Sequence, residues 1–89
     1  MLRIEIKTDE GSKTLRLSGD LCAADVEELR THFDHTDEVV SLDLENLMIV
    51  DLSAVRFLIG CEDIGVQVVA CPRYVREWMH REKDRRKQK

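Results

Sequence analysis

The chain has 89 residues, which is enough for one domain around a single two-layer core and too few for a second domain. Acidic residues outnumber lysine and arginine by 18 to 14, but the net charge divides unevenly, into −8 for residues 1–80 and +4 for residues 81–89. An acidic body excludes nucleic acid as the main partner, because phosphate contacts need a basic surface. We therefore expect one domain over residues 1–80, followed by a basic, frayed tail over 81–89.

The sequence also predicts a cytoplasmic protein that is not attached to a membrane. No stretch approaches the roughly 18 consecutive apolar residues that a membrane-spanning helix needs, and an alternating pattern starts at Leu2 in place of a signal peptide. The three cysteines are far apart and have no Cys-x-x-Cys spacing, so we expect small buried side chains at Cys22, Cys61 and Cys71. The alternative, a redox or metal role, lacks supporting basic neighbours.

The first third of the chain predicts two strands and a helix. Apolar residues alternate over Leu2–Ile6, turn residues follow at 9–12, and alternation resumes over Thr14–Leu17, which is typical of an antiparallel pair. Gly19 and Asp20 break this pattern. The next apolar residues are spaced by four, three and four, which predicts an amphipathic helix ending near residues 35–38: they are Cys22, Val26, Leu29 and Phe33.

A third strand, a second helix and a fourth strand are predicted next. The third strand covers Val39–Leu44, and a short apolar run over Leu47–Val50 separates it from the helix. That helix contains Gly60 as a weak point and ends at Gly65, before a strand over Val66–Ala70. Its apolar positions are Val55, Leu58 and Ile59.

The last predicted element is a helix that begins at Pro72, where a missing N–H is tolerated. An apolar stripe runs along it through Tyr74, Val75, Trp78 and Met79. The element order β-β-α-β-α-β-α predicts an α/β fold, with three helices packed on a mixed four-stranded sheet whose third and fourth strands are parallel.

Two segments of this pattern resemble the STAS family, named after sulfate transporters and anti-sigma-factor antagonists. In the first, a strand through Asp43-Leu44 leads over a short apolar run to Asp51-Leu52-Ser53-Ala54 at a helix start. The second, Leu17-Ser18-Gly19-Asp20-Leu21, follows the second strand. The resemblance covers roughly residues 2–80. It implies a STAS-like fold in a protein that binds another protein, without catalysis and without a cofactor.

The resemblance also implies a phosphorylation switch, which this sequence lacks in its usual form. In the anti-sigma-antagonist branch, a kinase partner phosphorylates a serine in an Asp-Ser-Ser/Thr-Gly loop. Here Asp51 matches the aspartate, Leu52 the acceptor serine, Ser53 the second Ser/Thr and Ala54 the glycine. Because leucine has no hydroxyl, we expect a constitutive or differently controlled binder. Ser53 is a substitute phosphoacceptor or, alternatively, a hydroxyl that starts the helix.

The resemblance assigns partner binding to this loop and the start of the second helix. The partner it implies is an anti-sigma kinase-like protein or, alternatively, the ATPase of a transporter or stress-signalling complex in which the chain is a non-catalytic subunit. Asp51 and Gly65 are fourteen positions apart, about one helical turn fewer than the family pattern, so self-association into a homodimer through Leu52, Val55 and Arg56 is also expected. The predicted binding residues are Asp20, Asp51, Leu52, Ser53, Ala54, Val55 and Arg56.

Several weaker signals have ordinary structural interpretations. His32 and His35 could sketch a metal site, but a solvated helix end is the better explanation, since no third nitrogen ligand completes a set. Trp78 is either an exposed anchor for a partner or, by default, a core residue. The basic tail either binds anionic lipid or nucleic acid or extends the last helix. An enzyme would depend on carboxylates that converge at strand ends, namely Asp20, Asp43 and Asp51.

Overall fold

The computed structural model describes residues 2–34 and 39–87. Within them the predicted order of strands and helices is confirmed. The elements are β1 (Leu2–Asp9), β2 (Ser12–Leu21), α1 (Ala23–Asp34), β3 (Val39–Val50), α2 (Leu52–Asp63), β4 (Gln67–Val69) and α3 (Arg73–Lys87). The predicted end of the first helix, at residues 35–38, lies outside the described residues.

The four strands form one mixed sheet in the order β1-β2-β3-β4. β1 and β2 are antiparallel and are joined by a tight turn in which Gly11 has a φ of 72°. β2 pairs in parallel with β3, and β3 pairs in parallel with β4, as the two helical crossovers require. The predicted parallel pairing of the third and fourth strands is therefore confirmed.

The core lies on one face of this sheet. Alternate side chains of the central strands are fully buried there, including Leu15 and Leu17 on β2 and Leu42 on β3. Alternation sends the intervening side chains to the opposite face, where Arg16 and Asp43 form an ion pair at 3.6 Å. The helices contribute the other half of the core, with buried residues that include Leu29, Leu58, Ile59, Val75 and Met79.

β3 is longer than the pattern predicted. It continues through the apolar run at 47–50. Its pairing with β2 shifts register twice, once after the pair Arg16–Asp43 and once after the pair Gly19–Leu47, and continues after each shift. Each shift places an additional residue in β3, which interrupts the alternation of buried and exposed side chains. A strand with such bulges does not show the period of two by which strands are found in a sequence.

The third helix also extends beyond its predicted end. α3 continues to Lys87, so residues 81–87 are helical, in contrast to the frayed tail predicted from residue 81. The reason is a set of contacts with α2: the buried Glu82 lies 3.6 Å from Arg56, and Lys83 lies 3.2 Å from Glu62. Trp78 is half-buried against the core, in keeping with the default interpretation.

Candidate functional site

The junction between β3 and α2 is held by a single carboxylate. Asp51 is the N-cap of α2, and its Oδ1 accepts the Ala54 N–H at 2.8 Å. Its Oδ2 accepts the N–H of Ala23, the first residue of α1, at 3.1 Å. One side chain thus satisfies free N–H groups at the start of both crossover helices, where a negative charge is also favoured by the helix dipoles. We call residues 51–53 the corner.

The corner is accessible from solvent. Leu52 and Ser53 are exposed in the first turn of α2, and Arg56 is exposed one turn later. Ser53 does not cap the helix, because Asp51 does. Its hydroxyl therefore lies on an exposed helix start, next to a residue that fixes the backbone.

Two of the predicted partner-binding residues are not on the surface. Ala54 and Val55 are fully buried, because these positions of α2 face the sheet. Their assignment to a contact surface is wrong, and so is the expectation that Val55 contributes to self-association. Asp20 lies elsewhere on the same end of the sheet, half-buried and paired in register with Ile49.

The structure adds apolar residues to this end of the sheet that the sequence did not assign to binding. Met48 is the additional residue of a bulge between the pairs Gly19–Leu47 and Asp20–Ile49. Met48 is 73% exposed and Ile49 is 61% exposed, although Leu47 on one side and Val50 on the other are buried. A bulge turns consecutive side chains out of the core in this way.

Tyr74 completes this surface from α3. β4 is three residues long and pairs with residues 41–43, so it ends before the bulged part of β3. There the Tyr74 hydroxyl donates a hydrogen bond to the Met48 carbonyl oxygen, and its ring remains 46% exposed. With Leu52 at 38% exposure, these side chains form what we call the apolar rim: Met48, Ile49, Leu52 and Tyr74. In the sequence, Leu47–Val50 was only a short apolar run.

An ion cluster between α2 and α3 fixes the helix that carries Tyr74. Glu62 of α2 lies 2.8 Å from Arg76 and 3.2 Å from Lys83 of α3. Burial would raise the pKa of Glu62, but the hydrogen bonds from Arg76 and Lys83 outweigh it and hold that pKa below its usual range. The cluster therefore stabilises the packing of α3 in its charged form.

The cysteines do not provide reactive thiolates. Cys22 is exposed, which contradicts its predicted burial, and a hydrogen bond from its Sγ to Asp25 Oδ2, 3.2 Å away, raises its pKa. Burial raises the pKa of Cys61 to about 12 and also raises that of Cys71. All three thiols are thus poorer nucleophiles than an ordinary cysteine at neutral pH.

Among the described residues, the other weak signals give no second site. Within residues 2–34 and 39–87, no group of three His, Cys, Asp or Glu side chains is placed to hold a metal ion. The predicted pair is not tested, because His35 and the side chain of His32 are outside what is described. Asp43 bonds to Arg16 and accepts the Glu45 N–H at 3.0 Å, so its carboxylate has a structural role. None of the described helices has the length and apolarity to cross a membrane.

Comparisons with known proteins were made by sequence and by structure. No family model and no curated protein matches the sequence. Among solved structures, the anti-sigma factor antagonist SpoIIAA in its unphosphorylated form matches with a TM-score of 0.66 and 19% identity, over 90% of this chain and 82% of that one. The STAS domain of an anti-sigma-factor antagonist from Rhodobacter sphaeroides matches with a TM-score of 0.55 and 26% identity, over 79% of this chain and 85% of that one.

A third solved structure has the same architecture. It is a protein of the DUF3478 family from Shewanella loihica PV-4, described as having a SpoIIAA-like fold. Its TM-score is 0.51 at 17% identity, over 93% of this chain and 76% of that one. The predicted fold class is thereby confirmed.

Proposed function

Since the chain has a STAS-type fold, we propose that it is a regulatory protein-binding module similar to anti-sigma factor antagonists, and that its partner contacts the apolar rim and the corner. The observation that carries the proposal is the exposure of the rim. Four large apolar side chains are exposed on the bulged half of β3 and on the first turns of α2 and α3, and Asp51 caps the helix that follows this strand. Exposed apolar clusters on small soluble domains are typical of protein interaction sites.

The proposed role does not include catalysis, and we place the protein in the cytoplasm. Two of the carboxylates from which an enzyme would be built are engaged in structural bonds, Asp51 as a double cap and Asp43 with Arg16. Three free cysteines suit a reducing compartment.

Control of binding differs from the usual phosphorylation switch in this proposal. Leu52 has no hydroxyl and contributes apolar surface to the rim, so the partner binds without a switch at this position. Ser53 is the alternative acceptor, because its side chain is exposed at a helix start where a phosphate would meet free N–H groups. The two cases are separated by phosphorylation of the protein with native cell extract and ATP, followed by mass spectrometry.

A phosphate on Ser53, with loss of partner binding by Ser53→Glu and not by Ser53→Ala, would show that Ser53 is a switch. An unmodified Ser53 together with full binding by both variants supports a constitutive binder. That result favours the second candidate function. In it, the chain is a permanent subunit of a larger ATPase or stress-signalling complex that needs no phosphorylatable loop.

The test of the proposal is co-purification of the tagged protein from its native organism. We expect one protein to be recovered in a stoichiometric amount with the unmodified chain and to be lost with Ile49→Ser, which makes the rim polar. Ile6→Ser is the matched control, since Ile6 is also half exposed but lies on edge strand β1, paired with Leu15. Recovery of a regulatory kinase favours the antagonist role, and recovery of a transport ATPase favours the subunit role. Equal recovery with both variants would contradict the proposal.

A further inference from the structure

A groove lies between the two crossover helices, α1 and α2. Its volume is about 530 Å³, and residues of α1 and α2 line it. The α2 residues in the lining are spaced as one face of a helix, from Ser53 through Phe57 and Gly60 to Ile64. At a rise of about 1.5 Å per residue this face is roughly 16 Å long, or three helical turns. Ser53, at one end of this face, is also the last residue of the corner.

Gly60 is the feature of this groove that the fold itself does not explain. It lies in the interior of α2, where glycine is less favourable than alanine. No heavy atom outside its own helix lies within 4 Å of the position that a Cβ would occupy, so a side chain here would meet open space. The absence of a side chain instead lets another backbone approach α2 closely. Ile64, one turn later, is 72% exposed in the same lining.

The groove is also positively charged, in contrast to the acidic protein around it. Arg30 on α1 and Arg56 on α2 line it, against a single acid, Glu27. The Arg30 guanidinium lies over the Phe57 ring, 5.8 Å from its centroid, and its pair with Glu27 is long at 3.8 Å. Arg56 is 3.6 Å from its partner on α3, and both arginines are largely exposed. The Arg30–Glu27 pair is exposed on both sides, so it is weak and can be exchanged for a carboxylate of a ligand.

We propose that this groove binds an amphipathic helix of the partner protein. The helix crosses α2 at Gly60, packs an apolar side chain on the exposed Ile64, and places an aspartate or glutamate between Arg30 and Arg56. Binding of an apolar helix face in a hydrophobic groove is a common mode of recognition, and the three-turn length of the face suits it. The inference rests on the proposed function, because the same partner reaches the groove from the rim.

Photo-crosslinking in native cells tests this directly. The photoreactive residue p-benzoylphenylalanine is placed at position 64, where an exposed apolar residue already lines the groove and Gly60 stays bare, or at position 48, in the rim. We expect both positions to capture the same protein, and we expect the adduct at position 64 to map to a helical, acidic segment. Arg30→Glu, which leaves the Arg56–Glu82 pair intact, should reduce the adduct at position 64 about tenfold, since an attractive charge becomes repulsive.

Other outcomes separate the two proposals. Capture at position 48 without capture at position 64 overturns the groove and leaves the proposed function in place. Capture at position 64 of a second copy of this chain, of a lipid or of a segment without acidic residues also overturns the helix. Failure of capture at both positions contradicts the proposed function itself.

A glycine substitution adds a test in which stability and binding change in opposite directions. Gly60→Gln should raise Tm by a few degrees, because glutamine is the better helix former. The same change should weaken the affinity for the protein captured at position 48 about tenfold, because the side chain blocks the close approach of a helix. Gly60→Ala is the control, with a similar rise in Tm and a smaller loss of affinity. A stabilised Gly60→Gln variant with unchanged affinity would overturn the proposal.

Discussion

The two halves of β3 differ in pairing and in exposure. In the first half the strand has a neighbour on each side over residues 41–43, and alternate residues such as Leu42 and Leu44 are fully buried. Over residues 45–50 it follows β2 with two shifts of register, and β4 no longer accompanies it. Met48 and Ile49 are exposed in that half. One strand thus holds the core with its first half and contributes Met48 and Ile49 to the apolar rim with its second.

The corner and α3 keep the second half of β3 in place. On its outer edge, the Met48 carbonyl oxygen accepts a hydrogen bond from the Tyr74 hydroxyl. The strand is followed by Asp51, whose carboxylate caps both crossover helices. Hydrogen bonds to side chains therefore replace a strand neighbour there. Substitutions that affect one half of β3 and spare the other test this difference.

The largest effect on stability is expected in the first half. Leu42→Ala removes a fully buried side chain from the centre of the sheet and leaves a cavity, so the free energy of unfolding should fall by about 3 kcal/mol. Chemical denaturation followed by circular dichroism measures it. The fraction that remains folded should bind the partner normally. A loss below about 1 kcal/mol would show that this half does not hold the core.

The next largest effect is expected at the corner. Asp51→Ala leaves helix N–H groups of both Ala54 and Ala23 without an acceptor, and each lost cap costs about 1 kcal/mol, for a total of about 2 kcal/mol. Asp51→Asn is the control, because its amide has one oxygen and can cap one of the two helices. It should cost about half as much. Equal losses for the two variants in thermal denaturation would contradict the double cap.

A smaller, pH-dependent effect is expected at the α2–α3 ion cluster. Because the pKa of Glu62 is lowered in the folded protein, its contribution is complete above the ordinary glutamate pKa of about 4.3 and is lost as the pH falls through the lowered value. The groups are partly exposed, so Glu62→Gln should cost only about 1 kcal/mol near neutral pH.

Denaturation of both proteins over a pH series measures this difference. It should shrink towards zero below the folded pKa of Glu62, where the carboxyl of the unmodified protein is neutral as well. A difference that is independent of pH would mean that the side chain acts through packing and not through its charge.

The sequence predicted the part of the molecule that is built on regular periods. Apolar residues alternate along β1 and β2, which predicts these strands, and the helical spacing around Leu29 predicts α1. The resemblance placed Asp51 at a helix start, where the structure has it as a cap. The sequence therefore identifies residues of the corner.

Contacts between distant residues could not be predicted in the same way. The bulge at Met48 breaks the alternation that marks a strand, and the Met48–Tyr74 hydrogen bond joins residues 26 positions apart. The second bond of Asp51 reaches Ala23, 28 positions away. The burial of Val55 depends on how α2 is rotated against the sheet, and an apolar residue near an exposed loop does not reveal that rotation.

The central claim is that the exposed half of β3 binds the partner, and the affinity of the co-purified partner for matched variants tests it most directly. Ile49→Ser and Ile6→Ser each replace an isoleucine that is at least half exposed. Both variants should therefore change the free energy of unfolding by less than about 1 kcal/mol. Titration calorimetry should show a loss of affinity of about tenfold or more for Ile49→Ser and none for Ile6→Ser. Equal affinities for the two variants would contradict the claim.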